Sequence, residues 1–275
     1  MKKTLIFVIL ALGLCCIFTS CDPSQEAPDL GYSIGLEFIS NGDGTCFVNG
    51  IGSCTDTHIV VPPISPDGDS VITISKTAFS EFEGVTEITI PDSITGVSTL
   101  HNHALGYCPT LEKVNISDTH PDFKSVDGVV YYKNGARLVW YPCGRTESSY
   151  TVAEGTYGIA SFAFNCCKNL KGIVLPAECV GIESHAFRGC ISLESIILPE
   201  GTKEIPNGAF ISCTSLNSIV IPTSVTGIGD MAFIQCPLLT DIYYGGSQDD
   251  WAKINMGCDT GLDNVTIHYN HQGEK

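Results

Sequence analysis

The chain has 275 residues, of which 16% are charged and 28 are glycine, a profile that suits a turn-rich, strand-rich protein better than a helical bundle. Acidic residues outnumber basic ones, 30 to 14, for a formal net charge of −16. That balance disfavours nucleic acid and anionic membrane surfaces as partners, since both demand a basic face.

Lys2 and Lys3 precede an apolar run from Leu5 to Phe18, followed by Thr19, Ser20 and Cys21. This is the layout of a secretory signal peptide over residues 1–20. The run falls short of the roughly 20 residues that a permanent transmembrane helix requires. Phe18-Thr19-Ser20-Cys21 resembles the lipobox of bacterial lipoproteins, with phenylalanine where leucine is usual. The resemblance implies cleavage before Cys21, lipidation of that cysteine and a polar tether over residues 21–35; the alternative is ordinary secretion with cleavage elsewhere. Two or three acyl chains make such an anchor durable.

Next in the chain, Leu36 to Val48, with a turn at Asn41-Gly42-Asp43-Gly44, is read as a hairpin capping whatever follows. Cys54, Ile59, Val61 and Pro62 then begin a pattern that recurs. Ala78-Phe79 leads to Val85, Ile88, Ile90 and Pro91, and Ala104-Leu105 leads to Cys108, Leu111, Val114 and Ile116. Extra residues near Ser98 to His101 are expected to bulge from one side.

Between Ser117 and Ser149 the pattern stops. Two turn signals, Val126-Asp127-Gly128-Val129 and Lys133-Asn134-Gly135-Ala136, separate apolar runs and predict a three-stranded meander beginning near Phe123. It carries Tyr131, Tyr132, Trp140 and Tyr141. Tyr132 and Trp140 are the candidate ligand contacts, because aromatic side chains are the usual anchors of binding surfaces; the competing reading packs both between the meander and the neighbouring coils.

The repeat then becomes regular. Ala-Phe recurs at 163, 186, 209 and 232, always 23 residues apart. Cys167, Cys190, Cys213 and Cys236 keep the same register, as do Leu170, Leu193, Leu216 and Leu239. An apolar-x-apolar step follows each leucine, and Pro176, Pro199 and Pro222 close three of the steps. Such a step puts two side chains on one face of a short strand, and proline ends the strand because it cannot donate to a ladder. Ile182, Ile205 and Ile228 return inward, and Ala-Phe-x-x-Cys-x-x-Leu has the spacing of a short helix or 3₁₀ turn. One unit cannot bury this set alone, whereas stacked coils share one interior. At the back, Asp249-Asp250-Trp251 opens a short helix and Val265 to Tyr269 forms a last strand, together a cap over residues 245–270 in which Trp251 plugs the open end.

The pattern Leu-x-x-Ile-x-Leu-Pro with a following Ile and Ala-Phe-x-x-Cys resembles the BspA-like leucine-rich repeat family of bacterial surface proteins, over residues 36 to 270. The resemblance implies a β-rich leucine-rich repeat solenoid of short parallel strands and short helical turns, with the meander inserted at 117–149. It also implies a surface protein that attaches to host proteins and other cells, and the want of catalytic motifs reads as a non-enzymatic chain, with host or bacterial surface proteins or glycans as the expected partners. Glu178, Gly201 and Ser224 stand where commoner leucine-rich repeats carry an inward asparagine ladder.

Signals for chemistry are sparse. No Cys-x-x-Cys occurs, so zinc ribbons and thiol redox motifs have no support, and neither a P-loop nor a nucleophile elbow is present. The cysteines in register read as buried thiols, since parallel side chains in a ladder disfavour the dihedral of a disulfide. Cys46 and Cys54, which flank a glycine-rich turn, are the candidate bridge. His101-x-His103 near Cys108 reads as a solvated loop in preference to a metal site, and no cofactor is expected. The expected function is protein or glycan binding at the cell surface, with the membrane contacted through the lipid; the alternative is a structural or assembly protein of the envelope.

Overall fold

The computed structural model describes residues 31–75, 77–79, 84–95 and 108–272. The signal segment, Cys21, most of the tether, the 98–101 bulge and the His101/His103 pair lie outside these residues.

Successive coils stack as the register predicts. Ser149–Thr151, Gly172–Val174, Ser195–Ile197, Ser218–Ile221, Asp241–Tyr244 and Thr266–His268 form one six-stranded sheet, every neighbouring pair parallel. Gly172 faces Ser195, Ser195 faces Ser218 and Ser218 faces Asp241, steps of one repeat. The alternation of the strand turns Ile173, Ile196, Ile219 and Ile242 inward, each at most 6% exposed. After each strand a proline carbonyl accepts the N–H three residues on, Pro176 from Cys179, Pro199 from Thr202 and Pro222 from Val225. These turns feed a second set of two-residue strands, in which Gly158 pairs with Gly181 and Glu204 with Gly227.

The Ala-Phe segment differs from the expected helical turn. At the residue before each alanine, Phe162, His185, Gly208 and Met231 have φ between 54° and 62°; at the third residue after it, Cys166, Gly189, Ser212 and Gln235 have φ between 59° and 70°. Each coil therefore bends through two left-handed residues, which no α-helix contains. The backbone N–H groups alternate accordingly. Those of Ala163, Asn165 and Cys167 bond within their own turn, while those of Phe164 and Cys166 reach Ala186 and Arg188 of the next coil. Phe187 and Gly189 repeat this toward Ala209 and Ile211, so the segment is a third coil-to-coil ladder that leaves few buried amides unpaired.

The four Ala-Phe pairs all enter one core, each side chain at most 1% exposed. Phe164, Phe187, Phe210 and Phe233 stack with centroids 5.4, 5.2 and 5.3 Å apart, and Tyr141 adds a further ring 5.2 Å from Phe164. Burial of each such large apolar side chain stabilises the fold by about 1.5–3 kcal/mol.

The front of the molecule has its own interior. Glu37–Ser40 and Thr45–Gly50 form the expected antiparallel hairpin, and Thr45–Gly50 pairs in parallel with Ser70–Ile74. His58–Val60, Glu87–Ile90 and Lys113–Ile116 make a three-stranded parallel ladder. Among the described residues the buried side chains fall into two clusters, with Ala78 and Phe79 in the front one. The single interior expected for the whole array is thus divided, and the divider is the insertion.

That insertion is the predicted meander, Phe123–Val126, Val129–Tyr132 and Arg137–Trp140. Its first turn places Asp127 and Gly128 at φ 50° and 78°, the two positive values of a tight hairpin turn. Its last strand pairs in parallel with Gly158–Ile159, so the insertion is built into the second ladder and does not stand apart from it. Val129, Tyr131, Leu138 and Tyr141 join the rear cluster, whereas Val130, Val139 and Trp140 join the front one.

The rear cap holds a four-residue helix, Gln248–Trp251, started by a reciprocal box between Ser247 and Asp250. The Trp251 ring meets Tyr244 edge-on at 5.2 Å, and the terminal strand Thr266–His268 lies against Asp241–Tyr244.

Candidate functional site

The two candidate contacts of the meander are placed differently, Trp140 inside and Tyr132 partly at the surface. Trp140 is 4% exposed and packs in the front core, so it has no surface to offer a partner. Tyr132 is half-buried, with its ring stacked on Phe123 at 5.7 Å. The physical reason is that both faces of this sheet meet a core, so its aromatics serve packing. Tyr131 and Tyr150 share a hydroxyl hydrogen bond of 2.7 Å within the rear cluster.

Cys46 and Cys54 are not bridged. Both are buried free thiols, and the Cys46 sulfur turns to the Asp69 carbonyl at 3.7 Å on the neighbouring chain segment. The cysteines in register are free as well, and each has a partner: the Cys190, Cys213 and Cys236 thiols donate to the carbonyls of Phe164, Phe187 and Phe210 at 3.1, 3.1 and 3.0 Å. A small side chain with one weak donor suits that corner, where the phenylalanine carbonyl of the preceding coil points inward. Burial pushes the Cys143 and Cys179 thiols up to about 12 and Cys108 to about 11, which makes them poor nucleophiles and metal ligands.

His185 is half-buried and stacks on Phe162 at 4.7 Å. On the exposed side of the long sheet, His268 Nε2 meets Asp241 Oδ1 at 2.6 Å, and this contact holds the Asp241 carboxyl below its ordinary range. The Tyr243 ring covers one face of the His268 imidazole at 4.7 Å. The pair ties the last strand to its neighbour.

What the long sheet does present is its outer face. Val174, Ile197, Val220, Tyr243 and His268 occupy equivalent outward positions on successive strands, beside a row of small residues, Gly172, Ser195 and Ser218. Val174 is 57% and Ile197 58% exposed. Sequence reasoning on aromatics passed over this row, although the residue between the two inward ones in each strand was its signal. At neighbouring positions Lys171 pairs with Glu194 at 3.1 Å.

The family profile of the BspA type leucine-rich repeat region matches residues 57–133 and 140–256, in six copies. The chain belongs to that family. No curated protein gives a significant match. Among solved structures, the pneumococcal vaccine antigen PcpA is similar to this leucine-rich repeat chain with a TM-score of 0.58 at 25% identity, over 71% of this chain. The chain spans about half of PcpA, 47%. A leucine-rich repeat protein from Eubacterium ventriosum ATCC 27560 has a TM-score of 0.50 at 14% identity, covering 80% of this chain and 78% of its own, a likeness of fold alone.

Proposed function

We propose that this chain is an exported, lipid-anchored surface protein that binds other proteins or glycans and catalyses no reaction. The observation that carries the reading is the outer face of the six-stranded sheet, where Val174 and Ile197 stand exposed in line with half-buried Val220 and Tyr243, while the inward isoleucines of the same strands are committed to the core. Exposed apolar rows bordered by polar groups are a mark of interaction surfaces. Solenoids offer such extended faces because each coil contributes one more equivalent residue. Membership of the BspA-type family supports a surface location, and the signal-like start of the chain with Cys21 supports export and anchoring.

The test is retention on an immobilised chain. The native protein should hold matrix protein or whole cells above a blank surface, and Val174→Glu with Ile197→Glu should lower retention at least tenfold with unchanged thermal unfolding. Equal retention by native and doubly substituted protein removes the sheet face from the reading, and no retention by either removes adhesion. For the anchor, Cys21→Ala should move the protein from the membrane fraction to the medium; an unchanged membrane fraction contradicts lipidation there.

A further inference from the structure

A groove lies on the front ladder, away from the long sheet. The backbone N–H of Ser33 donates to the Val60 carbonyl at 2.9 Å, and its hydroxyl accepts the Val60 N–H at 3.0 Å. These bonds fix the chain entry against the strand His58–Val60 and leave Tyr32, 47% exposed, beside the outer face of the ladder. Between them runs an open groove of about 530 Å³, within the size range of small-ligand sites.

The lining has two characters. Tyr32, Val60, Pro63 and Pro91 supply an apolar side. Thr89, Asn115 and Asp92 supply polar groups, and these are held in place beforehand. Thr89 Oγ1 is within 2.8 Å of His58 Nε2 and 3.2 Å of Asn115 Nδ2, and Asp92 Oδ2 accepts from Thr119 Oγ1 at 2.6 Å. Asp92 is the one charged residue among the described lining residues.

We propose that this groove binds a neutral saccharide, with one sugar ring lying on Tyr32 and its hydroxyls meeting Thr89, Asn115 and Asp92. The proposal rests on the reading of the chain as a binding protein and names the ligand class of one site. A pyranose has an apolar face that lies against an aromatic ring and a rim of hydroxyls that both donate and accept. The Asn115 Nδ2 group donates to Glu87 and Thr89, which turns its amide oxygen, beside the Thr89 hydroxyl and the Asp92 carboxylate, to that rim as an acceptor of sugar hydroxyls. A purely apolar ligand would cover the Asn115 amide oxygen and the second Asp92 oxygen, the acceptors that those bonds leave open, which is costly. A phosphate or sulfate would meet a carboxylate and no lining cation.

The experiment uses the full purified chain on a printed array of neutral oligosaccharides ending in glucose, galactose, mannose or N-acetylglucosamine, with sialylated counterparts and a proline-rich decapeptide as controls. Saturation-transfer NMR then measures the strongest hits. At least one neutral saccharide should bind, and Tyr32→Ala and Asp92→Asn should each weaken it at least tenfold. Thermal unfolding should not change, and Tyr157→Ala, at a 61% exposed tyrosine outside the groove, should leave binding as it was. The assignment is overturned if no neutral saccharide binds, if binding persists undiminished in both groove variants, or if the peptide is the ligand that Tyr32→Ala loses. Saccharide failure with intact cell retention removes the groove and leaves adhesion standing; loss of retention with Tyr32-dependent sugar binding does the reverse.

Discussion

At the scale of single residues, the molecule is governed by small groups in corners where little else fits. Phe210 touches two stacked rings and is fully buried, so Phe210→Ala should cost about 3–5 kcal/mol, measured by denaturant unfolding. The thiols carry a pH dependence. Folded Cys108, Cys143 and Cys179 lie at about 11 to 12, raised by burial, against an unfolded value of about 8.5. Above that value the unfolded chain sheds thiol protons that the folded chain keeps. Their contribution is therefore complete below about pH 8.5 and is lost as pH rises toward the folded values. Melting temperature should be level near neutrality and fall steadily as the solution becomes more alkaline; a level profile into the folded thiol range would contradict this. Iodoacetamide should label exposed Cys258 first and the register cysteines only after unfolding, as peptide mass mapping would show.

At the scale of elements, the strands were legible in the sequence because each presents its own alternation, and the meander because both of its turns carry glycine at a left-handed position. The Ala-Phe turns were not. Ala163, Cys167 and Leu170 sit at helical spacing, yet what decides their backbone is the bonding of alternate N–H groups to the next coil, an interaction between residues a full repeat apart. Local periodicity cannot register it. The left-handed positions give a prediction: Gly208→Ala, at φ 61° and with its added carbon 2.8 Å from His185 and Ile211 side-chain atoms, should destabilise by about 1–2 kcal/mol. Gly172→Ala, whose added carbon meets nothing within 4 Å, should change stability by less than about 0.5 kcal/mol. Comparable losses at both sites would show that the turn conformation is not as described. Of the two readings open for Trp140, display to a partner or packing against the neighbouring coils, its burial agrees with packing. A strand buried on both faces looks, in sequence, like one that displays aromatics.

At the scale of the whole molecule, the repeat revealed a solenoid, but the partition into two cores depends on Arg137–Trp140 joining the second ladder, which no motif announces. The groove at Tyr32 was equally hidden, since it joins the chain entry to strands about 30 to 80 residues downstream. A repeat architecture also makes its own test available, because equivalent coils are exchangeable units. Residues 182–204 form one period, and removing them joins Gly181 to Ile205, the register equivalent of Ile182. Calorimetry and near-ultraviolet dichroism of this shortened chain, beside one lacking 182–193, measure whether the coils are equivalent. Equivalent coils give a cooperative transition and native-like aromatic signal for the full-period deletion, and neither for the half-period one. An unfolded full-period deletion, or two deletions that behave alike, would contradict that equivalence.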